Sequence, residues 1–172
     1  MEGPLSLPLI WCSISGHGFG HAAQVVPVLN HLGRLVPEMT ALLNTSVPAS
    51  FFEPRLNIPW RLNLAQQDIG CIQYGPLRID VPATWEAHRR VHADWDERIR
   101  REAAAIARTA PALVLSDISH IATAAGAAAG IPTVALCCLS WDVVLELYTR
   151  PGALEEHGII EHIRDAYAGA VC

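Results

Sequence analysis

The chain has 172 residues, 51% of them apolar and 17% charged, with a formal net charge of −5. That length suits one domain, the apolar content fills a sizeable core and excludes a disordered chain, and the acidic balance excludes the usual profile of a nucleic-acid binder. All 12 basic residues are arginine, which reads as coding bias. The five cysteines (Cys12, Cys71, Cys137, Cys138 and Cys172) are odd in number and lack CxxC spacing, so they read as small core residues of a reduced, cytoplasmic protein.

The N-terminus carries Glu2 and no basic residue before a short apolar run interrupted by Pro4 and Pro8, which is not a signal-peptide pattern. Residues 7–15 read as a buried strand that ends in a glycine-rich loop, Gly16-His17-Gly18-Phe19-Gly20-His21. A helix follows, with Val25, Val28, Leu29, Leu32 and Leu35 at helical spacing. Pro27 lies inside that pattern, so the helix either kinks there or starts near Val26 with Pro27 in its first turn.

Residues 39–44 and 58–64 suggest further strands, with a short helix at 48–54. Residues 65–82 read as loop with a short strand near 70–73. The periodicity of Val91, Trp95, Ile99, Ala103 and Ile106 predicts one long helix over 84–109, with six arginines on its solvated face. Residues 112–116 form a buried strand directly before Asp117. A small-residue helix to Ala129 and a strand over 132–138 come next. Short and long helices follow over 142–148 and 154–168, separated by Pro151-Gly152. The stretch without formal charge between Asp117 and Asp142 is broken by Gly130-Ile131-Pro132. It suits a buried helix–turn–strand better than a membrane span, which needs about 20 strongly apolar residues.

Alternating strands and helices predict an α/β chain: a Rossmann-like, doubly wound parallel sheet with helices on both faces. Ligands of such sheets bind outside the carboxyl ends of the strands. The glycine loop and Asp117 each follow a strand, so both fall at that edge. Gly16, Gly18 and Gly20 let the backbone turn tightly and approach a ligand, and the helix behind them offers free N–H groups and a positive dipole end. A dinucleotide fingerprint would place glycine where His21 stands.

Histidine near its ordinary pKa of about 6.5 suits proton transfer at neutral pH, which makes His21 a candidate general base. Asp117 would accept the other ring N–H of His21 and fix its tautomer; alternatively, Asp117 or Ser116 is only the N-cap of the next helix. His88 and His92 share a helix face, but the HExxH glutamate and a third ligand are lacking, so no metal site is expected.

The stretch Ser15 to Ala22, with its GHGFGH loop, resembles the first loop of MurG-like GT-B glycosyltransferases. It is most similar to bacterial glycosyltransferase-like proteins and to the N-terminal segment of plant arabinokinases. Leu115-Ser116-Asp117, the small-residue run 125–132 and Ser140-Trp141-Asp142 extend the resemblance over nearly the whole chain. The resemblance implies the acceptor-side half of an inverting, metal-independent enzyme that uses a nucleotide sugar and no other cofactor. His21 would deprotonate an acceptor hydroxyl and Asp117 would orient it. Gly16, His17, Gly18, Gly20, Ser140, Trp141 and Asp142 would line the substrate site.

The family's C-terminal nucleotide-sugar domain is absent from the sequence. Residues 169–172 read as a strand just beginning, so the chain is expected to be truncated and to need that domain, or a partner chain, for turnover. The alternative is a degenerate Rossmann-like module that binds a sugar or nucleotide without turnover.

Overall fold

The computed structural model describes residues 7–75 and 77–170. Strand and helix alternate as β1 (Leu9–Ile14), α1 (Gly20–Leu35), β2 (Thr40–Thr45), α2 (Ala49–Phe52) and β3 (Trp60–Leu64). They continue as α3 (Val81–His92), α4 (Trp95–Thr109), β4 (Leu113–Asp117), α5 (His120–Ala128), β5 (Thr133–Ala135), α6 (Trp141–Glu146) and α7 (Leu154–Ala168).

The five strands form one sheet in the order β3-β2-β1-β4-β5, and every pairing is parallel. The chain winds outward from β1 to β3, then crosses back to β4 beside β1. That reversal opens a crevice at the carboxyl ends of β1 and β4. Ile14 lies opposite Asp117 in the register, so the exit of β1 into the glycine loop and the last residue of β4 are neighbours.

Alternation along the strands builds two core layers. Ile10, Cys12 and Ile14 of β1 and Leu115 of β4 pack with Val25, Val26 and Leu29 of α1 and Phe52 of α2. Trp11 and Val114, one residue out of phase, pack against Ile106 of α4 and Ala125 of α5. A third cluster joins Trp85 of α3, Trp141 and Leu145 of α6, and Ile159, Ile160 and Ile163 of α7. Each fully buried aliphatic side chain contributes about 1.5–3 kcal/mol to holding these layers together.

The doubly wound parallel sheet is as the sequence predicts; five local features differ. The single helix over 84–109 is two helices. The first starts earlier, because Asp80 accepts the Ala83 N–H at 3.0 Å and Pro82 occupies the first turn. Asp94 leaves helical geometry (φ −117°, ψ 40°), and the break lets Trp95 lie flat on His92 at 4.8 Å between ring centroids. Helix α1 runs through Pro27 and begins at Gly20.

The expected strand over 132–138 stops at Ala135. Cys137 and Cys138 therefore lie past the sheet and are exposed, not core residues; Cys12 and Cys71 are buried. The short strand near 70–73 is only an isolated bridge between Gln73 and Ile79. Of the strand expected at 169–172, Gly169 caps α7 instead, and residues 171–172, like Glu2, Pro4 and Cys172 itself, lie outside the described residues. Among the described residues no helix is long and apolar enough to cross a membrane.

Candidate functional site

The crevice brings His21 and Asp117 together from 96 residues apart in sequence. His21 Nδ1–H donates to Asp117 Oδ1 at 2.8 Å. The Asp117 side chain is fully buried, whereas His21 keeps 16% of its side-chain surface. Because Nδ1 carries the proton toward the carboxylate, the neutral ring presents an unprotonated Nε2. The hydrogen bond to Asp117 is the main force raising the His21 pKa above its usual 6.5. Burial opposes it, and the charges of Asp117 and Asp68 add to it.

Asp117 does not cap the following helix, and neither does Ser116. The cap of α5 is Ser119, whose hydroxyl accepts the Ala122 N–H at 3.2 Å, while Ser116 Oγ donates to the Ser119 carbonyl at 2.8 Å. Between them Ile118 is held at φ +67°, a left-handed conformation that costs a β-branched residue about 1–3 kcal/mol. Full burial of Ile118 and a hydrogen bond from the Tyr167 hydroxyl to its carbonyl hold that turn.

The segment after β3, which has no readable periodicity, organises the rest of the rim. Gln67 accepts from Ser13 Oγ at 2.6 Å and, through its carbonyl, from Ser119 Oγ at 2.6 Å. Asp68 accepts from Ser15 Oγ at 3.0 Å and from Trp141 Nε1–H at 2.8 Å. The carbonyls of Ile69 and Gly70 accept from His17 Nε2–H and His88 Nε2–H, each at 3.0 Å. Residues 66–73 thus form a strap across the carboxyl ends of β1 and β4.

Gly70 sits at φ +61°, and a Cβ there would run into the His17 ring and approach Trp141 Cη2 to 2.7 Å. Polar Gln66-Gln67-Asp68, directly after a strand, was the one signal in the sequence for this strap.

The other predicted site residues divide. Gly16, His17 and Gly18 line a cleft of about 450 Å³ with Ser46, Gln66 and Asp68. Among the described residues no arginine lines that cleft. Gly20 opens α1, whose first-turn N–H groups lack intrahelical partners and receive no side-chain cap from Phe19. Phe19 is exposed and lies flat on Phe51, 5.2 Å between centroids.

His17 is turned inward against the Trp141 ring. Trp141 and Asp142 are buried; Trp141 belongs to the third core cluster, and Asp142 Oδ2 lies 3.4 Å from Arg164 Nε. Ser140 occupies the N-cap position of α6 without capping it through its side chain. The structure therefore joins His21 to Asp117, keeps the glycine loop at a cleft, packs Trp141 into the third core cluster and pairs Asp142 with Arg164.

From His88, which bonds the strap, a row of rings continues: His88, His92, His120 and His162 gather from α3, α5 and α7 around Trp95. Neighbouring rings along the series lie 5.5–6.4 Å apart. Sequence spacing pairs only His88 with His92; the approach of His120 and His162 has no local pattern. Burial drives the His92 pKa down to about 3 and that of His120 well below 6.5, with the charges of neighbouring histidines and Arg98 adding to the effect. Among the described residues no group of three or more His, Cys, Asp or Glu side chains is arranged to hold a metal ion.

The fold has counterparts among known proteins. No protein-family model matches the chain. It is 29% identical over 169 residues to L-arabinokinase of Arabidopsis thaliana, a match covering 90% of this chain and 15% of that protein. Its fold matches Phytolacca americana UGT2, solved with UDP-2fluoro-glucose and pterostilbene, at a TM-score of 0.55 and 13% identity, over 95% of this chain and 46% of the other. It also matches CalG4, the calicheamicin glycosyltransferase, at a TM-score of 0.55 and 16% identity, over 94% of this chain and 43% of the other. The chain thus has the Rossmann-like fold found in one half of GT-B glycosyltransferases, and it spans less than half the length of these solved chains.

Proposed function

We propose that this chain is the acceptor-binding half of a nucleotide-sugar-dependent, inverting, metal-independent glycosyltransferase in which His21 is the general base. The observation that carries the reading is the 2.8 Å hydrogen bond from His21 Nδ1–H to buried Asp117 at the crevice of a GT-B-like half. A histidine so oriented has one nitrogen free to take a proton and a carboxylate behind it to stabilise the imidazolium that results.

In the proposed step His21 Nε2 removes the proton of an acceptor hydroxyl. The acceptor oxygen forms a bond to the anomeric carbon of the donor sugar. The bond from that carbon to the diphosphate oxygen breaks, and the nucleoside diphosphate leaves with the electron pair. Attack opposite the leaving group inverts the anomeric centre. The cleft beside the glycine loop is lined by Ser46, Gln66 and Gln73 together with Ile69 and Ile72, and among the described residues by no arginine, which suits a neutral hydroxyl-bearing acceptor. The donor is held mainly by a second Rossmann-like domain, in the same polypeptide or in a partner.

The test is a screen of nucleotide sugars against hydroxyl acceptors, with the protein assayed alone and together with any chain encoded beside it. The expected product has inverted anomeric configuration and forms equally well with a chelator present. Retained configuration would overturn the single-displacement step, and loss of turnover with chelator would overturn metal independence. Saturable sugar or nucleotide binding by this chain, with no transfer in any combination, would favour a binding module instead.

A further inference from the structure

Asp68 lies in the middle of the strap, 4% exposed, and both of its carboxylate oxygens are engaged. Oδ1 takes the Ser15 hydroxyl proton, and that same hydroxyl accepts the His17 backbone N–H at 3.2 Å. Oδ2 takes the indole N–H of Trp141, the first residue of α6. One carboxylate therefore ties the start of the glycine loop to the start of α6, across the mouth of the crevice that holds His21.

Two neutral donors on two different oxygens call for a group with two acceptors, which a carboxylate supplies and an amide does not, at the cost of burying a charge. Burial pushes the Asp68 carboxyl up from its usual range, so holding it ionised at this position takes a cationic counterpart. The hydrogen bonds from Trp141 and Ser15 oppose that rise, and a positive charge on the His21 imidazole opposes it further.

The structure assigns Asp68 as a second positioning residue for His21: it ties the start of the glycine loop, through Ser15, to the start of α6, through Trp141, and adds its charge to that of Asp117 at the rim where the imidazole stands. This rests on the reading of His21 as the proton acceptor. When His21 takes a proton, the positive charge forms at a rim where the carboxyl groups of Asp117 and Asp68 are already held by hydrogen bonds, so little reorganisation accompanies the transfer. Asp117 fixes the ring by a direct hydrogen bond, whereas Asp68 acts through the field and through the loop. The direction of the His21 shift, to which both carboxylates contribute, agrees with this division.

The experiment is an NMR titration of the His21 ring in the wild-type protein, in Asp68→Asn and in Asp117→Asn, with the Asp68 carboxyl carbon followed in the wild type. Asp68→Asn keeps the shape and an acceptor oxygen while removing the charge. The expected result is a His21 midpoint that falls in both variants, with Asp68 ionised throughout the His21 titration. An unchanged midpoint in Asp68→Asn, alongside a lowered one in Asp117→Asn, overturns the Asp68 assignment and leaves the His21–Asp117 pair intact. An unchanged midpoint in both removes the pair as well. If Asp68→Asn does not fold, the wild-type carboxyl signal decides: Asp68 protonated while His21 titrates overturns the assignment, and Asp68 ionised supports it.

Discussion

His21 Nδ1 and Asp117 Oδ1 lie 2.8 Å apart although 96 residues separate them in the chain. Two parallel strands make the meeting: β1 leads into the glycine loop and α1, β4 ends at Asp117, and the two strands pair with Ile14 opposite Asp117. The carboxylate is buried while the imidazole retains an exposed edge. The hydrogen bond therefore orients the ring from the protein side and leaves its other nitrogen toward solvent.

The pH dependence of transfer follows from the raised His21 pKa. A general base works unprotonated, so kcat/KM is expected to rise with pH along a limb whose midpoint lies above 6.5. In Asp117→Asn the limb moves to lower pH and its plateau drops, because the stabilising carboxylate is gone. The linked stability has the opposite sign: the His21–Asp117 interaction contributes fully below 6.5 and is lost as pH rises through the folded-state pKa. A pH–rate profile of both proteins checks this; a limb that stays in place in Asp117→Asn contradicts it.

The buried histidines predict acid sensitivity by the reverse sign. His92 and His120 have folded-state pKa values depressed below 6.5. The unfolded chain therefore binds protons below pH 6.5 that the folded chain refuses. Stability is expected to fall as pH drops below 6.5, by up to about 1.4 kcal/mol per pH unit for each such histidine. The groups facing them are His88, His162, Arg98 and Tyr167. Urea denaturation between pH 5 and 7 measures this, and His120→Asn, which cannot ionise, should flatten the slope.

Substitution at Gly70 separates strain from collision. Gly70→Ala forces alanine into φ +61° and drives its Cβ into His17 and Trp141, whereas Gly152→Ala, at φ +78°, meets open space. Gly152→Ala is expected to cost about 1 kcal/mol, the left-handed backbone penalty alone. Gly70→Ala should cost clearly more and should also lower transfer, since His17 and the strap move with it. Thermal unfolding of the pair checks this, and equal losses would contradict it.

The sequence made the sheet and one half of the strap–loop arrangement readable, for physical reasons. Residues 9–14 and 113–117 are short apolar runs, and each is followed by a residue of chemical character at the strand's carboxyl end, so topology alone brings the glycine loop beside Asp117. Asp68 was illegible because its partners, Ser15 and Trp141, are 53 and 73 residues away and its segment has neither period. The break at Asp94 was hidden because Trp95 continues the apolar spacing across it while packing on His92. Cys137 and Cys138 looked like core because the apolar run continues past Ala135, where the strand itself ends. The histidine cluster depends on α3, α5 and α7 converging, which no local pattern encodes.

The most direct test of the central claim is the rate of sugar transfer by wild-type protein and by His21→Ala, measured with any second chain that transfer requires and with folding of both checked by circular dichroism. The account predicts that His21→Ala loses transfer by about 10²–10⁴-fold, the usual contribution of a positioned general base, while donor binding stays unchanged. Transfer by His21→Ala at the wild-type rate would contradict it.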